Sequence, residues 1–250
     1  MTVVLDLDGV VWLADRAIDG APDAVARLRA GGHRVVFVSN NSFAAVSEVE
    51  GKLAGFGIPA AGDVLTSAVA AATLVKPGQR VLLCAGPGAA EAITRAGAEV
   101  VTDGDADAVV VGFHRSFDYE DLRRAATAVR RGARLIGTND DATYPTPEGP
   151  IPGGGSILAA VATASGVTPV VAGKPYEPMA ELVRSELGPD LDGAVMVGDR
   201  PDTDGRFALA IGCRFGLVFS GVTHRRDLPV NPTPDLVADD LARLADTILG

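Results

Sequence analysis

The chain is poor in the residues that staple or ligate by themselves, with two cysteines and three histidines in 250 residues. Cys84 and Cys213 have no CxxC companion, so neither a disulfide framework nor a zinc site is expected, and both read as buried thiols in apolar surroundings. His33, His114 and His224 are widely separated and fit no metal-ligand spacing, which reads them as surface or loop residues. Aromatics make up 5% of the chain against 47% hydrophobic residues, so the core must be built largely from Ala, Val, Leu and Ile. Positive charge is short as well. Against 32 Asp plus Glu stand 22 Lys plus Arg, and the net charge of -10 is broken by no basic stripe, which argues against a nucleic-acid partner.

The opening MTVVLDLDGV has no basic region and carries acidic residues at once, so no secretory signal is expected and the location predicted is cytoplasmic. Residues 149–173 are uncharged, but Pro150, Pro152, Gly153, Gly154, Gly155 and Pro169 interrupt them, and no membrane partner is expected.

Short apolar runs alternate with helical patterns. Val3 to Leu5, a helix from Pro22 to Ala30 and Val35 to Val38 read as a βαβ unit whose strands are parallel. Helical patterns at 44–55 and 67–75 lead to strand 80–84, helix 88–96, strand 108–112, helix 118–131 and strand 134–137. The last third gives strand 170–172, helix 177–187, strand 194–198, helix 203–210, strand 214–218 and helix 236–248. This is an α/β protein with a Rossmann-like parallel sheet. Lys76-Pro77-Gly78 and Gly173-Lys174-Pro175 punctuate the chain around a block at 78–171, expected as an inserted α/β domain in a core of 1–77 and 172–250.

Chemistry gathers where strands end. Asp6-Leu7-Asp8-Gly9 puts two carboxylates one residue apart, with Gly9 allowing a sharp turn; their repulsion calls for a cation or a shared proton. Gly198-Asp199-Arg200-Pro201-Asp202-Thr203-Asp204 places more carboxylates after another strand, which suits Mg²⁺ as much as it suits a helix N-terminus. Ser39-Asn40-Asn41-Ser42 offers hydroxyls, amides and backbone N–H groups to a phosphate, although alone it is an ordinary cap. Lys174 stands in a polar turn between an apolar strand and a helix.

Taken in order along the whole chain, DLDGV, SNNS, GKP and GDRPDTD resemble the four motifs of the haloacid dehalogenase (HAD) superfamily of phosphatases. The long insert resembles the α/β cap of the NagD-like, p-nitrophenylphosphatase-like subclass IIA, with Thr138-Asn139-Asp140, Tyr144-Pro145 and Pro152 to Ser156 as its landmarks and Ser220 to Thr223 as a late core strand end. Ser39 stands where Thr is common, which keeps the hydroxyl; His114 stands where relatives often carry Asp.

The resemblance implies an Mg²⁺-dependent hydrolase of a small organic phosphate monoester, of sugar phosphate, glycerol phosphate or phosphoglycolate type. Asp6 would be the nucleophile forming an aspartyl-phosphate, and Asp8 the general acid and base. A carboxylate oxygen of Asp6, the backbone carbonyl of Asp8, and Asp199 would hold Mg²⁺, and Asp204 would orient a bound water or Lys174. Lys174, Ser39 and the N–H groups near Gly9 and Asn40 would bind the phosphate oxygens. The cap would select the leaving group through 140–152, with Thr143, Tyr144 and Glu148, and the subclass allows a homodimer through the cap.

Three other readings compete. A phosphotransferase or mutase would share the intermediate, and a phospho-accepting sensor would use the aspartates without turnover, although a sensor needs no enclosing cap. Gly86-Pro87-Gly88-Ala89-Ala90-Glu91 imitates a dinucleotide fingerprint, but Glu91 would repel a pyrophosphate.

Overall fold

Apolar runs of three to six residues become strands, and the segments between them become helices, in the computed structural model, which describes residues 1–144, 146, 149–188 and 191–250. The chain forms two units. The first takes Met1–Ser39, Ser47–Leu65 and Lys174–Gly250, and the second takes Asn40–Val46 and Thr66–Gly173.

The sheet of the first unit runs in the order Leu236–Ala238, Arg214–Val218, Val195–Gly198, Thr2–Leu5, Arg34–Ser39, Val64–Thr66. Thr2–Leu5 lies in the middle, parallel to both neighbours, with Val4 opposite Met196 on one side and Val36 on the other. Helices cover both faces of such a sheet, which is why its strands carry no alternation: Val3, Val4, Leu5, Val195, Met196 and Val197 are all fully buried. The chain leaves the first strand toward one side and returns on the other, so a crevice opens at the carboxyl ends of Thr2–Leu5 and Val195–Gly198, the usual ligand position in a parallel sheet. Pro22 opens the helix Ala21–Ala30, which buries Ala21, Ala24, Val25 and Leu28. Arg27 ties it to the last helix by donating to the Ala242 carbonyl at 3.1 Å.

The second unit has a five-stranded parallel sheet, in the order Val170–Val171, Arg134–Gly137, Ala108–Val111, Arg80–Cys84, Glu99–Val101. Its core joins Leu82, Cys84, Val109, Val111 and Leu135 of the strands to Ala125, Val129, Leu158 and Val161 of two helices. Asp118 and Asp121 close a capping box at the start of Tyr119–Arg130.

Strands 80–84, 134–137 and 214–218 and helix 177–187 have the bounds that the sequence pattern predicts. The helix expected at 236–248 divides: Leu236–Ala238 is a strand beside Arg214–Val218, and Asp240 starts the helix Leu241–Leu249 by accepting from the Arg243 N–H at 2.8 Å. The helix Gly154–Ser165 is absent from the sequence reading, because its glycine-rich entry looks like a turn and it carries no charge to mark a polar face. Cys213 is only partly buried, while Cys84 is buried as expected.

The second unit also begins earlier than the block at 78–171. It takes in the helix Ser67–Ala72 and the segment 40–46, where the Phe43 carbonyl accepts from the Gly88 N–H at 2.8 Å. A Cβ on Gly88 would stand 2.2 Å from the Ala44 carbonyl oxygen, and one on Gly86 would stand 2.4 Å from the Phe43 ring. The glycines that imitate a dinucleotide fingerprint thus admit the chain's own residues.

Candidate active site

Asp6, the residue after the first strand, stands at the crevice of the first unit, where its N–H donates to the Val197 carbonyl at 2.9 Å. Asp199 follows the adjacent strand. Between the two strand ends lies Lys174, whose ammonium donates to Asp6 Oδ1 and to Asp204 Oδ1, each at 2.7 Å. The Lys174 side chain is 2% exposed and that of Asp204 1%, so this pairing of one cation with two carboxylates is dry. Burial works against the charge of Lys174, but Asp204 and Asp6 more than offset it and hold the ammonium above the ordinary lysine range.

A π-helical turn at Pro201–Gly205, the start of the helix expected at 203–210, brings Asp204 back to the strand end. Asp204 Oδ2 accepts from the Arg200 N–H at 3.1 Å, so both of its oxygens are engaged. The turn needs Gly198, since a Cβ there would lie 2.2 Å from the Asp204 carboxyl.

Asp199 Oδ2 accepts from the Val222 N–H at 2.6 Å, while Asp199 Oδ1, buried, is the one side-chain polar atom of that kind without a partner among the described residues. An orphaned carboxylate oxygen in a dry site costs several kcal/mol unless a cation or a proton satisfies it. Oxygen atoms of Asp6, Asp199 and Asp204 all lie within 4.8 Å of one another. Burial first, then Asp204 and Asp6, push the Asp199 carboxyl up to about 8; burial and Asp6 raise Asp204 to about 6 against the pull of Lys174. Burial also raises Asp6, opposed chiefly by Lys174. Carboxylates outnumber cations here, and an all-oxygen donor set with one unsatisfied oxygen fits a hard divalent cation such as Mg²⁺.

Asp8 stands apart from that cluster. Its Oδ1 accepts from the Trp12 indole N–H at 2.9 Å, and burial pushes its carboxyl upward, opposed by that hydrogen bond and more weakly by Lys52. Gly9 has φ +85° and backs onto Asp199, whose Oδ2 would lie 2.5 Å from a Cβ at this position. Phosphate contacts are expected from N–H groups near Gly9; the Gly9 N–H itself donates to the Trp12 carbonyl at 2.8 Å, and the residue provides the turn and the close approach. Ser220 Oγ holds the Gly9 carbonyl at 2.7 Å. Ser39 ends its strand with a buried side chain.

Asn40 belongs to the second unit. Its Nδ2 donates to Asp141 Oδ2 at 3.1 Å, and its carbonyl accepts from Ser67 Oγ and Asn139 Nδ2, each at 2.7 Å. Asn41 Oδ1 turns the chain by accepting from the Phe43 and Ala44 N–H groups. In the same unit, Asn41, Phe43, Phe113, Arg115 and Tyr144 line a cavity of about 250 Å³. Phe113 stacks on Tyr144 with ring centroids 5.3 Å apart and meets Phe43 edge-on at 5.9 Å. Thr143 is exposed in the same short strand as Tyr144; Glu148 lies outside the described residues. His114 lies in a loop, as the sequence suggests, but is partly buried, 3.8 Å from the Cys84 sulfur.

The sequence reading missed Trp12, Val222 and the Asn139–Asp141 pair as partners of the site residues. Trp12 had a signal, being the chain's single tryptophan four residues after Asp8.

Comparison with known proteins agrees with this arrangement. The model of the haloacid dehalogenase-like hydrolases matches residues 3–99, and that of the HAD-hydrolase-like proteins matches residues 171–244. An acid sugar phosphatase of Staphylococcus saprophyticus is 34% identical over 235 residues, 92% of this chain and 91% of the relative. The solved structure of a p-nitrophenyl phosphatase from Archaeoglobus fulgidus aligns with a TM-score of 0.92 at 32% identity, over 98% of each chain. That of a glycerol phosphate phosphatase from Mycobacterium tuberculosis in complex with magnesium aligns with a TM-score of 0.88 at 35% identity, over 97% of this chain and 75% of the other. With relatives matched over nearly its full length, the chain belongs to the haloacid dehalogenase-like hydrolase family.

Proposed function

We propose that this protein is an Mg²⁺-dependent hydrolase of small organic phosphate monoesters that works through an aspartyl-phosphate on Asp6. The observation that carries the reading is the buried grouping of Asp6, Lys174, Asp204 and Asp199, with one Asp199 oxygen unsatisfied. The relatives named sugar phosphatase, glycerol phosphate phosphatase and p-nitrophenyl phosphatase support the substrate class.

Asp6 attacks the phosphorus through a carboxylate oxygen while the ester oxygen departs. Asp8 gives its proton to that oxygen and later takes one from the water that hydrolyses the acyl phosphate. Asp6, Asp199 and the Asp8 carbonyl would hold Mg²⁺, which would supply charge neutralisation for an incoming dianion that buried carboxylates otherwise repel. Lys174 neutralises a phosphoryl oxygen, and Asp204 keeps the lysine charged and in place. The Ser39 hydroxyl and the Asn40 N–H complete the phosphate contacts. The second unit acts as the cap, and its Phe113–Tyr144 pocket, with Thr143 beside it, selects the leaving group.

Phosphate release from a panel of sugar, polyol, glycolate and aryl phosphates tests the reading, with and without Mg²⁺, in the wild type and in Asp6→Asn. Release that needs both Mg²⁺ and Asp6 supports it. Equal release by the variant removes Asp6 as nucleophile, and transfer to an added alcohol in preference to water makes the protein a phosphotransferase.

A further inference from the structure

The chain's single tryptophan is 4% exposed, and its ring meets Phe56 at 6.1 Å. Filling the core explains the ring but not the direction of its N–H, which ends on Asp8 Oδ1 at 2.9 Å. The backbone locks the same loop: the Trp12 N–H donates to the Leu7 carbonyl at 3.1 Å, and the Trp12 carbonyl accepts from the Gly9 N–H at 2.8 Å. Asp8 and Trp12 are therefore held to each other by main chain and side chain together.

A second residue braces the tryptophan from outside this loop. The Lys52 ammonium stands 4.1 Å from the ring centroid and donates to the Ala14 carbonyl at 2.6 Å. Ala14 turns the hairpin of Trp12–Leu13 and Arg16–Ala17 with φ +50°, a conformation that a residue with a Cβ rarely adopts. Lys52 thus anchors the tip of the hairpin and at the same time lays a cation on the indole face, which draws density from the ring and makes its N–H a stronger donor.

We propose that Trp12, braced by Lys52, is the positioning residue for the Asp8 carboxyl. An indole N–H only donates, so it always occupies a lone pair of Oδ1 and leaves Oδ2 to carry the proton that goes to the departing alkoxide. The proposal rests on the reading of Asp8 as general acid, and it adds that the acid is aimed by a hydrogen bond from outside the four motifs.

The test compares an aryl ester, p-nitrophenyl phosphate, whose leaving group needs little protonation, with an alkyl phosphate that the enzyme turns over, both with Mg²⁺ and the full chain. For Trp12→Phe, kcat on the alkyl ester falls on the order of tenfold further than on the aryl ester, with both KM values nearly unchanged. Lys52→Met moves the same ratio in the same direction, by about threefold. Equal losses on the two esters would make Trp12 a packing residue and overturn the proposal. Asp8→Ala separates the two failures. If Asp8→Ala discriminates strongly between the esters and Trp12→Phe does not, the positioning role falls alone; if Asp8→Ala does not discriminate, the general-acid reading falls and takes this proposal with it. Should Trp12→Phe not fold, the emission of Trp12 decides in the otherwise native chain: Asp8→Ala shifts it if the N–H is held by Asp8, and an unchanged spectrum overturns the proposal.

Discussion

Asp6 and Lys174, 168 residues apart in the chain, meet through a 2.7 Å ion pair in which the lysine side chain is 2% exposed. Because Lys174 holds Asp204 at the same distance, its loss would leave two buried carboxylates facing each other. Lys174→Met is therefore expected to cost about 3–5 kcal/mol of stability, besides abolishing turnover. Denaturant unfolding checks this, and the loss should shrink at pH 5, where the carboxylates can protonate. A loss that does not change with pH would mean that the pair is not what the lysine stabilises.

Stability and metal binding should oppose each other in their dependence on pH. Asp199 and Asp204 have folded values raised to about 8 and about 6 from the ordinary 3.8. A raised carboxyl contributes most below its unfolded value, and that contribution is lost as the pH climbs through the folded one. The metal-free protein should thus lose Tm between pH 5 and 8.5, through these groups. Mg²⁺ replaces the protons, so the Tm gained on adding it should grow over the same range. Near a hundredfold excess over Kd the gain should be about 5–10 °C. A gain that is larger at pH 5 would contradict the assignment.

Asp199→Asn separates stability from function. It removes the most strained charge of the site while keeping its shape, so the metal-free variant should be the more stable protein at pH 8, on the order of 2 kcal/mol. The Mg²⁺-induced rise in Tm should disappear along with turnover. A variant that keeps the full Mg²⁺ response would place the metal elsewhere.

Gly198→Ala tests the close approach behind Asp204. The added methyl would sit 2.2 Å from the Asp204 carboxyl and must displace it. About 1–3 kcal/mol of stability should be lost. The variant's kcat should fall well below that of Gly51→Ala, a control at a glycine outside the left-handed region with nothing within 4 Å. Equal activities would show that the position of Asp204 is unimportant.

Most of the site was legible because it lies in short local motifs at strand ends. Asp6, Asp199 and Lys174 are placed by the two central strands and the turn that follows the inserted residues, and the apolar runs announce those strands. What depends on contacts between distant residues was hidden. Nothing local marks Leu236–Ala238 as a strand rather than the start of a helix, since its partner Arg214–Val218 supplies the reason. The entry of 40–46 into the second unit likewise depends on the backbone of Gly88 meeting Phe43 and Ala44. The bond from the Gly9 N–H to the Trp12 carbonyl is likewise unmarked in the sequence, since that acceptor is fixed only once the hairpin forms.

The central claim is that Asp6 carries the phosphoryl group, and trapping it is the most direct measurement. Wild-type protein is mixed with Mg²⁺ and a turned-over phosphate ester, quenched in acid within one turnover, digested and analysed by mass spectrometry. One phosphoryl group on the peptide that begins the chain, localised to Asp6 and absent from Asp6→Asn, is the expected result. A phosphoryl group on another residue, or full turnover by Asp6→Asn, would contradict the mechanism.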